Sequence, residues 1–191
     1  MIRFLLAMVT SAFLISAAHS ATISGKVAAP ANSVVYVDVI PGKTFPGPAK
    51  HTTMDQTGLA FQPHVVVVQQ SATVDFLNSD SVSHNVFWTG IGGNKKLGHN
   101  LGTWPQGQTR SFKFDNPGVV PVLCNVHPEM SGFIVVSPTP YFAQTDSAGN
   151  YRIESVPDGS YTLTAWHEGL KPTSKKFTIS GDTPADFALT K

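Results

Sequence analysis

The chain has 191 residues, of which 41% are hydrophobic, 10% aromatic and only 13% charged, with a formal net charge of +1. This length allows one large domain or two small ones, and so low a charge content excludes a long charged disordered tail. Near-neutrality removes the electrostatic case for a nucleic-acid partner or an anionic membrane surface.

Residues 1–20 read as a secretory signal. Arg3 is the only charge before Lys26, an apolar run covers Phe4–Ala18, and Ala18 and Ser20 fit a small-x-small cleavage rule, so a mature chain beginning at Ala21 is expected. The run is shorter than the roughly 18 or more apolar residues a spanning helix needs. No Cys follows it to carry a lipid. The expectation is export to the periplasm with no membrane span in the mature form.

Beyond this segment, 16 Gly and 14 Pro punctuate the chain, and no sustained helical period is present. Strands are predicted at Ile23–Val27, Val34–Ile40, Val65–Gln69, Val74–Leu77 and Asn85–Thr89. Gly90–Gly107 holds six glycines with little periodicity and reads as a long loop. Arg110–Phe114 alternates, so Phe112 and Phe114 should face one core. Val119–Leu123 and Phe133–Val136 complete this set. A boundary falls at Ser137-Pro138-Thr139-Pro140, giving a first unit over 21–138 and a second over 139–191. Strands at Tyr151–Ile153, Tyr161–Ala165, Lys176–Ile179 and Phe187–Leu189 follow, with turns at Asp146–Asn150 and Pro157–Gly159. The fold class is therefore all-β, with short strands arranged as sandwiches or barrels.

The chain contains one cysteine. A single thiol cannot close an internal disulfide, and metal ligation would both use and protect it in an oxidising compartment. Cys124-Asn125-Val126-His127-Pro128-Glu129-Met130 places a thiolate, an imidazole and a thioether in one short segment after an apolar strand. Upstream, His84-Asn85-Val86-Phe87 opens another strand. One Cys, two His and one Met form the donor set of a trigonal copper site with a weak axial sulfur. Soft sulfur suits Cu(I), and imidazole serves both oxidation states. Taken singly, these residues have blander readings as core Cys, core Met and satisfied His. Zinc sites use Cys and His but not Met, and a Cys–His thiol enzyme gives the Met no role. His99-Asn100 repeats the His-Asn dipeptide, but His84 is preferred because a strand pattern follows it.

Cys-x-x-His-x-x-Met with His-Asn-Val-Phe upstream resembles the cupredoxin (type 1 blue copper) family over Met54–Val136. The ligand loop is similar to those of amicyanin and pseudoazurin. Met54-Asp55-Gln56, Phe76–Asp80, His84–Phe87 and Cys124–Pro128 also resemble the methylamine-utilisation-protein-like bacterial cupredoxins. The resemblance implies a Greek-key β-sandwich with one copper held by His84, Cys124, His127 and Met130. It further implies His127 as the electron port and Asn85 as a hydrogen-bonding brace between the two ligand segments, while Pro128 stiffens the loop. Asn78-Ser79-Asp80 is the turn before His84. Asn125-Val126 replaces the Thr-Pro of amicyanin-like loops, and Glu129 puts a carboxylate beside the site. The tail motifs Thr145-Asp146-x-x-Gly149-x-Tyr151 and Val156-Pro157-x-Gly159-x-Tyr161 resemble a carboxypeptidase-regulatory-like, transthyretin-type sandwich. Such domains begin with a strand like Ile23–Val27, so residues 21–40 are expected to supply it.

The functional expectation is a non-enzymatic one-electron carrier between periplasmic redox proteins. Multicopper oxidases need His-x-His runs, which are absent from the sequence. Two alternatives stay open: copper handling assisted by His51, Met54 and His64, and an interaction module in which copper is structural.

Overall fold

The computed structural model describes residues 20–191, so the signal-like segment lies outside the described residues apart from Ser20. Strands β1 (Ser20–Ala28) and β2 (Val34–Val37) come first. Then come β3 (Thr52–Gln56), β4 (Phe61–Gln62), β5 (Val65–Gln69), β6 (Ala72–Asn78) and β7 (His84–Trp88). A short 3-10 turn (Lys95–Leu97) precedes β8 (His99–Trp104), β9 (Thr109–Phe114), β10 (Gly118–Leu123) and β11 (Ser131–Ser137). The last strands are β12 (Phe142–Gln144), β13 (Asn150–Pro157), β14 (Gly159–Trp166), β15 (Thr173–Ile179), β16 (Thr183–Pro184) and β17 (Phe187–Ala188). No helix among the described residues is long and apolar enough to cross a membrane.

Two sheets, ordered β5-β11-β10-β7-β8 and β4-β3-β6-β9, form the first sandwich. Their facing side chains make one core that includes Met54, Phe76, Phe114, Val86, Trp88, Val120, Val122 and Ile134. The period of two explains the selection: in β6, Ala72, Val74, Phe76 and Asn78 are buried while the residues between them are only partly so. Phe112 packs against the same core that buries Phe114.

The second sandwich has sheets β12-β2-β14-β15 and β13-β1-β16, with β17 also paired to β1. Its core includes Ile23 and Val27 of β1, Val35 and Val37 of β2, Ile153 of β13, and Leu163 and Ala165 of β14. Strands β1 and β2 therefore pair only with strands drawn from residues 142–188, although residues 52–137 separate them from those partners in sequence.

A third cluster joins the two sandwiches. Val34 and Tyr36 of β2 and Trp166 of β14 meet Val65 and Val67 of β5, Phe133 and Val135 of β11, and Val119 of β10. Alternate residues of the same strands thus face different cores: Val66 and Val68 point into the first sandwich, Val65 and Val67 into the joint. Phe133 and Trp166 pack across it with tilted rings whose centroids are 5.3 Å apart, and His64 of one sandwich meets Glu168 of the other at 2.6 Å. The segment after β11 is equally tied down, since Thr139 Oγ1 donates to the Val37 carbonyl at 2.7 Å and both Ser137 and Thr139 are buried.

Residues 90–107, expected to be one long loop, contain a strand. β8 pairs antiparallel with β7, and the register slips between Val86 and Phe87, opposite Gly102 and Asn100. Gly102 has φ +83°, so the bulge uses a backbone conformation open mainly to glycine.

Candidate metal centre

The four expected donors sit at one end of the first sandwich. His84 starts β7 and is fully buried, Cys124 follows the last residue of β10, and Met130 precedes β11. Cys124 and Met130 belong to the same buried core. The two ends of the ligand loop are fixed by strand pairing, with Val122 opposite Gly132 and Leu123 opposite both Ser131 and Phe87. The ligand loop is therefore a tight connection between adjacent strands, closed internally by the Met130 N–H donating to the His127 carbonyl at 3.0 Å.

His84, Cys124 and His127 each bring one ligand atom into a group spanning no more than 4.8 Å. The Nδ1 atoms of His84 and His127 approach to 2.9 Å. Two backbone N–H groups point at the sulfur: that of Asn85 at 3.4 Å and that of His127 at 3.5 Å. Such donors suit a sulfur that carries negative charge. His127 is half-buried at the surface end, while Asn125, Val126, Pro128 and Glu129 around it are exposed. Soft thiolate, two imidazoles and a buried thioether nearby are the donor chemistry of copper rather than of a hard cation.

Asp80 enters the site although the sequence reading gives it only a turn. Its Oδ2 accepts from His84 Nε2 at 2.7 Å. The N–H of Gly58 reaches Oδ1 at 2.7 Å and that of Leu59 reaches Oδ2 at 3.0 Å. Burial pushes the Asp80 carboxyl up, but the Leu59 N–H, the His84 ring and the Gly58 N–H outweigh it and hold the group below its ordinary value. The Asp80–His84 spacing was visible in the sequence, but the two residues lie in a loop and at a strand start, where that spacing carries no fixed geometry.

The brace expected of Asn85 takes a different form. Its side-chain Nδ2 donates to Asn100 Oδ1 at 2.9 Å and to the Gly102 carbonyl at 2.8 Å, tying β7 to β8, and its Oδ1 has no partner. The link to the Cys124 segment comes from the Asn85 backbone N–H instead. The reason is the β8 bulge, which brings the Asn100 side-chain oxygen and the Gly102 carbonyl beside the amide. His99 is remote from the donors in the strand ladder: it pairs with Trp88, at the other end of β7 from His84, and its ring packs on Trp88 and Phe112. Met54, considered as a helper in copper uptake, is fully buried core. His51 is held by Asp75 at 3.0 Å and His64 by Glu168.

Comparison with known proteins gives the families that the two parts of the chain match. Residues 48–137 match the family model for copper binding proteins of the plastocyanin/azurin family, and residues 133–190 match the carboxypeptidase regulatory-like domain. Amicyanin-alpha of Methylorubrum extorquens is 32% identical over 90 residues, covering 47% of this chain and 74% of that protein. Among solved structures, a reduced Cu(I) form of an amicyanin variant is 20% identical and covers 54% of this chain and 98% of its own, with a TM-score of 0.43. The copper-containing nitrite reductase of Thermus scotoductus is 24% identical, covering 52% of this chain and 25% of its own, with a TM-score of 0.42.

Proposed function

We infer, since this chain belongs to the plastocyanin/azurin family of copper-binding proteins, that it is a one-electron carrier with a single type 1 copper held by His84, Cys124, His127 and Met130. The observation that carries this reading is the convergence of one ligand atom each from His84, Cys124 and His127 within 4.8 Å. Bound there, copper supplies a one-electron couple between Cu(II) and Cu(I). The protein's part is to hold the donors still. The buried ends of two strands fix His84 and Cys124, and the short loop fixes His127 and Met130, so little rearrangement accompanies the change of charge.

His127 is the exit for the electron, because it is the only one of the four donors that is not fully buried. Val126 beside it, Val82 before His84, and Leu59 on the turn bonded to Asp80 are three of the four exposed large hydrophobics among the described residues. They offer an apolar contact surface to a redox protein partner around the port. The signal-like residues 1–20 support a periplasmic setting. The reading divides the chain near residue 138, with residues 21–40 given to the second sandwich. Nothing in it assigns a catalytic residue.

A visible spectrum of the Cu(II)-loaded protein tests the assignment. The expected result is an intense thiolate-to-Cu(II) band with narrow copper hyperfine splitting in the paramagnetic resonance spectrum. A colourless Cu(II) protein, or one binding several weak equivalents of Cu(I), would sink it in favour of copper handling. His127→Ala should slow electron self-exchange at least tenfold, which corresponds to about 1.4 kcal/mol in the barrier.

A further inference from the structure

We propose that Asp80 is a positioning residue of the metal centre, locking the His84 ring so that its Nδ1 lone pair faces Cys124 and His127 and biasing the couple toward Cu(II). This rests on the reading of His84 as a copper ligand.

The chemistry is one of donors and acceptors. An ionised carboxylate only accepts, so His84 Nε2, at 2.7 Å from Asp80 Oδ2, must carry the ring proton. A neutral His84 then has its lone pair on Nδ1, the atom that lies 2.9 Å from His127 Nδ1. A metal-binding histidine whose other nitrogen donates to a carboxylate is thereby fixed in tautomer and orientation and made more basic.

Asp80 can do this only if it is itself immobile, and every polar group around it works to that end. Gly58 (φ +64°) and Leu59 (φ +56°) adopt consecutive left-handed conformations. That geometry is a tight turn, closed by the Thr57 N–H donating to the Ala60 carbonyl at 3.0 Å, and it turns two successive N–H groups onto one carboxylate. Leu59 is not a glycine, so its conformation costs free energy that the carboxylate contact offsets. From the other side, the Asp80 N–H is shared between Asn78 Oδ1 at 3.0 Å and the Gln56 carbonyl at 3.2 Å. His84 is fully buried and the Asp80 side chain is 15% exposed, so water screens the carboxylate poorly from the ring. A fixed negative charge one imidazole away from the metal favours the more positive oxidation state.

The test compares wild type with Asp80→Asn and Asp80→Glu. In Asp80→Asn, Cu(II) affinity should fall about 10- to 100-fold, with Cu(I) affinity falling less. A tenfold change in the ratio of the two raises the midpoint potential by about 59 mV for one electron. Asp80→Glu should restore most of the difference. A residue that merely braces the turn would lower thermal stability and leave the potential alone. A folded Asp80→Asn protein with the wild-type potential would therefore overturn the proposal. Nitrogen NMR of the metal-free wild type provides a second test that needs no variant. The proton of neutral His84 should sit on Nε2, and a proton on Nδ1 would overturn the proposal. Absence of the thiolate-to-Cu(II) band in the wild type is a separate failure, that of the copper reading. The NMR result then still decides what Asp80 does to His84.

Discussion

At the residue scale, two of the proposed donors, Cys124 and Met130, are also part of the first core. Met130 fills space in the first sandwich and also offers a thioether, so its two roles need a substitution that separates them. Met130→Leu conserves volume and should cost less than about 1.5 kcal/mol. It removes a sulfur donor that favours Cu(II) more than its hydrocarbon replacement does, so the midpoint potential should rise while thermal unfolding moves little. An unchanged potential would take Met130 out of the donor set. A second residue-scale prediction concerns Asp146 in the turn before β13. The Asn150 backbone N–H, the Asn150 side-chain amide and the Ala148 N–H hold its carboxyl below the ordinary value. A depressed folded-state pKa stabilises the fold above the unfolded value, and the gain is lost as pH falls through the folded value. Asp146→Ala should therefore melt below wild type at neutral pH. The gap should close progressively below about pH 3.9, the ordinary value. A gap independent of pH would show that the turn uses the side chain's shape rather than its charge.

At the element scale, the valine runs are the most informative feature of the sequence. Val65-Val66-Val67-Val68, Val34-Val35 and Val135-Val136 do not alternate with polar residues, because β5, β2 and β11 bury both faces. The sequence made them visible as strands, but a run that is apolar throughout does not say which second surface covers it. Here the cover is the other sandwich. Strand β8 was hidden for the opposite reason: the bulge at Gly102 breaks the period of two on which strand recognition depends. The candidate donors were legible because three of them share one short loop. Asp80 was not, since only the turn at Gly58-Leu59 and the start of β7 bring it to His84. Trp166 tests the joint between the sandwiches. It is 6% exposed and packs on Phe133. Trp166→Ala should cost about 3–5 kcal/mol. Because the proposed metal donors lie within the first sandwich, the loss should appear in unfolding followed by circular dichroism, with the copper band surviving to higher denaturant. Coincident loss of both signals would mean that the two sandwiches unfold as one unit.

At the scale of the whole molecule, the chain enters the second sandwich, leaves it for the first, and returns. β1 occupies a central place between β13 and β16, and β2 lies between β12 and β14. These are interior positions, so the strands supply main-chain partners on both sides as well as Ile23, Val27, Val35 and Val37 to the core. Residues 142–188 alone would leave the two sheets without those strands and with two long unpaired edges. A sandwich of that size already buries little surface for its length, which makes it marginal even before the loss. By contrast, the strand ladders of the first sandwich and the segments holding His84, Cys124, His127 and Met130 all lie between residues 52 and 137. Deleting residues 21–40 should thus abolish slow amide hydrogen exchange in β13, β14 and β15, while copper still produces the thiolate band. Removal of β2 also strips Val34 and Tyr36 from the joint, exposing Val65, Val67 and Val135. The truncated protein should accordingly gain affinity for apolar dyes and self-associate through the uncovered face. The opposite pattern, with exchange in β13–β15 still slow and the copper band gone, would mean that β1 and β2 are needed first by the metal-bearing sandwich.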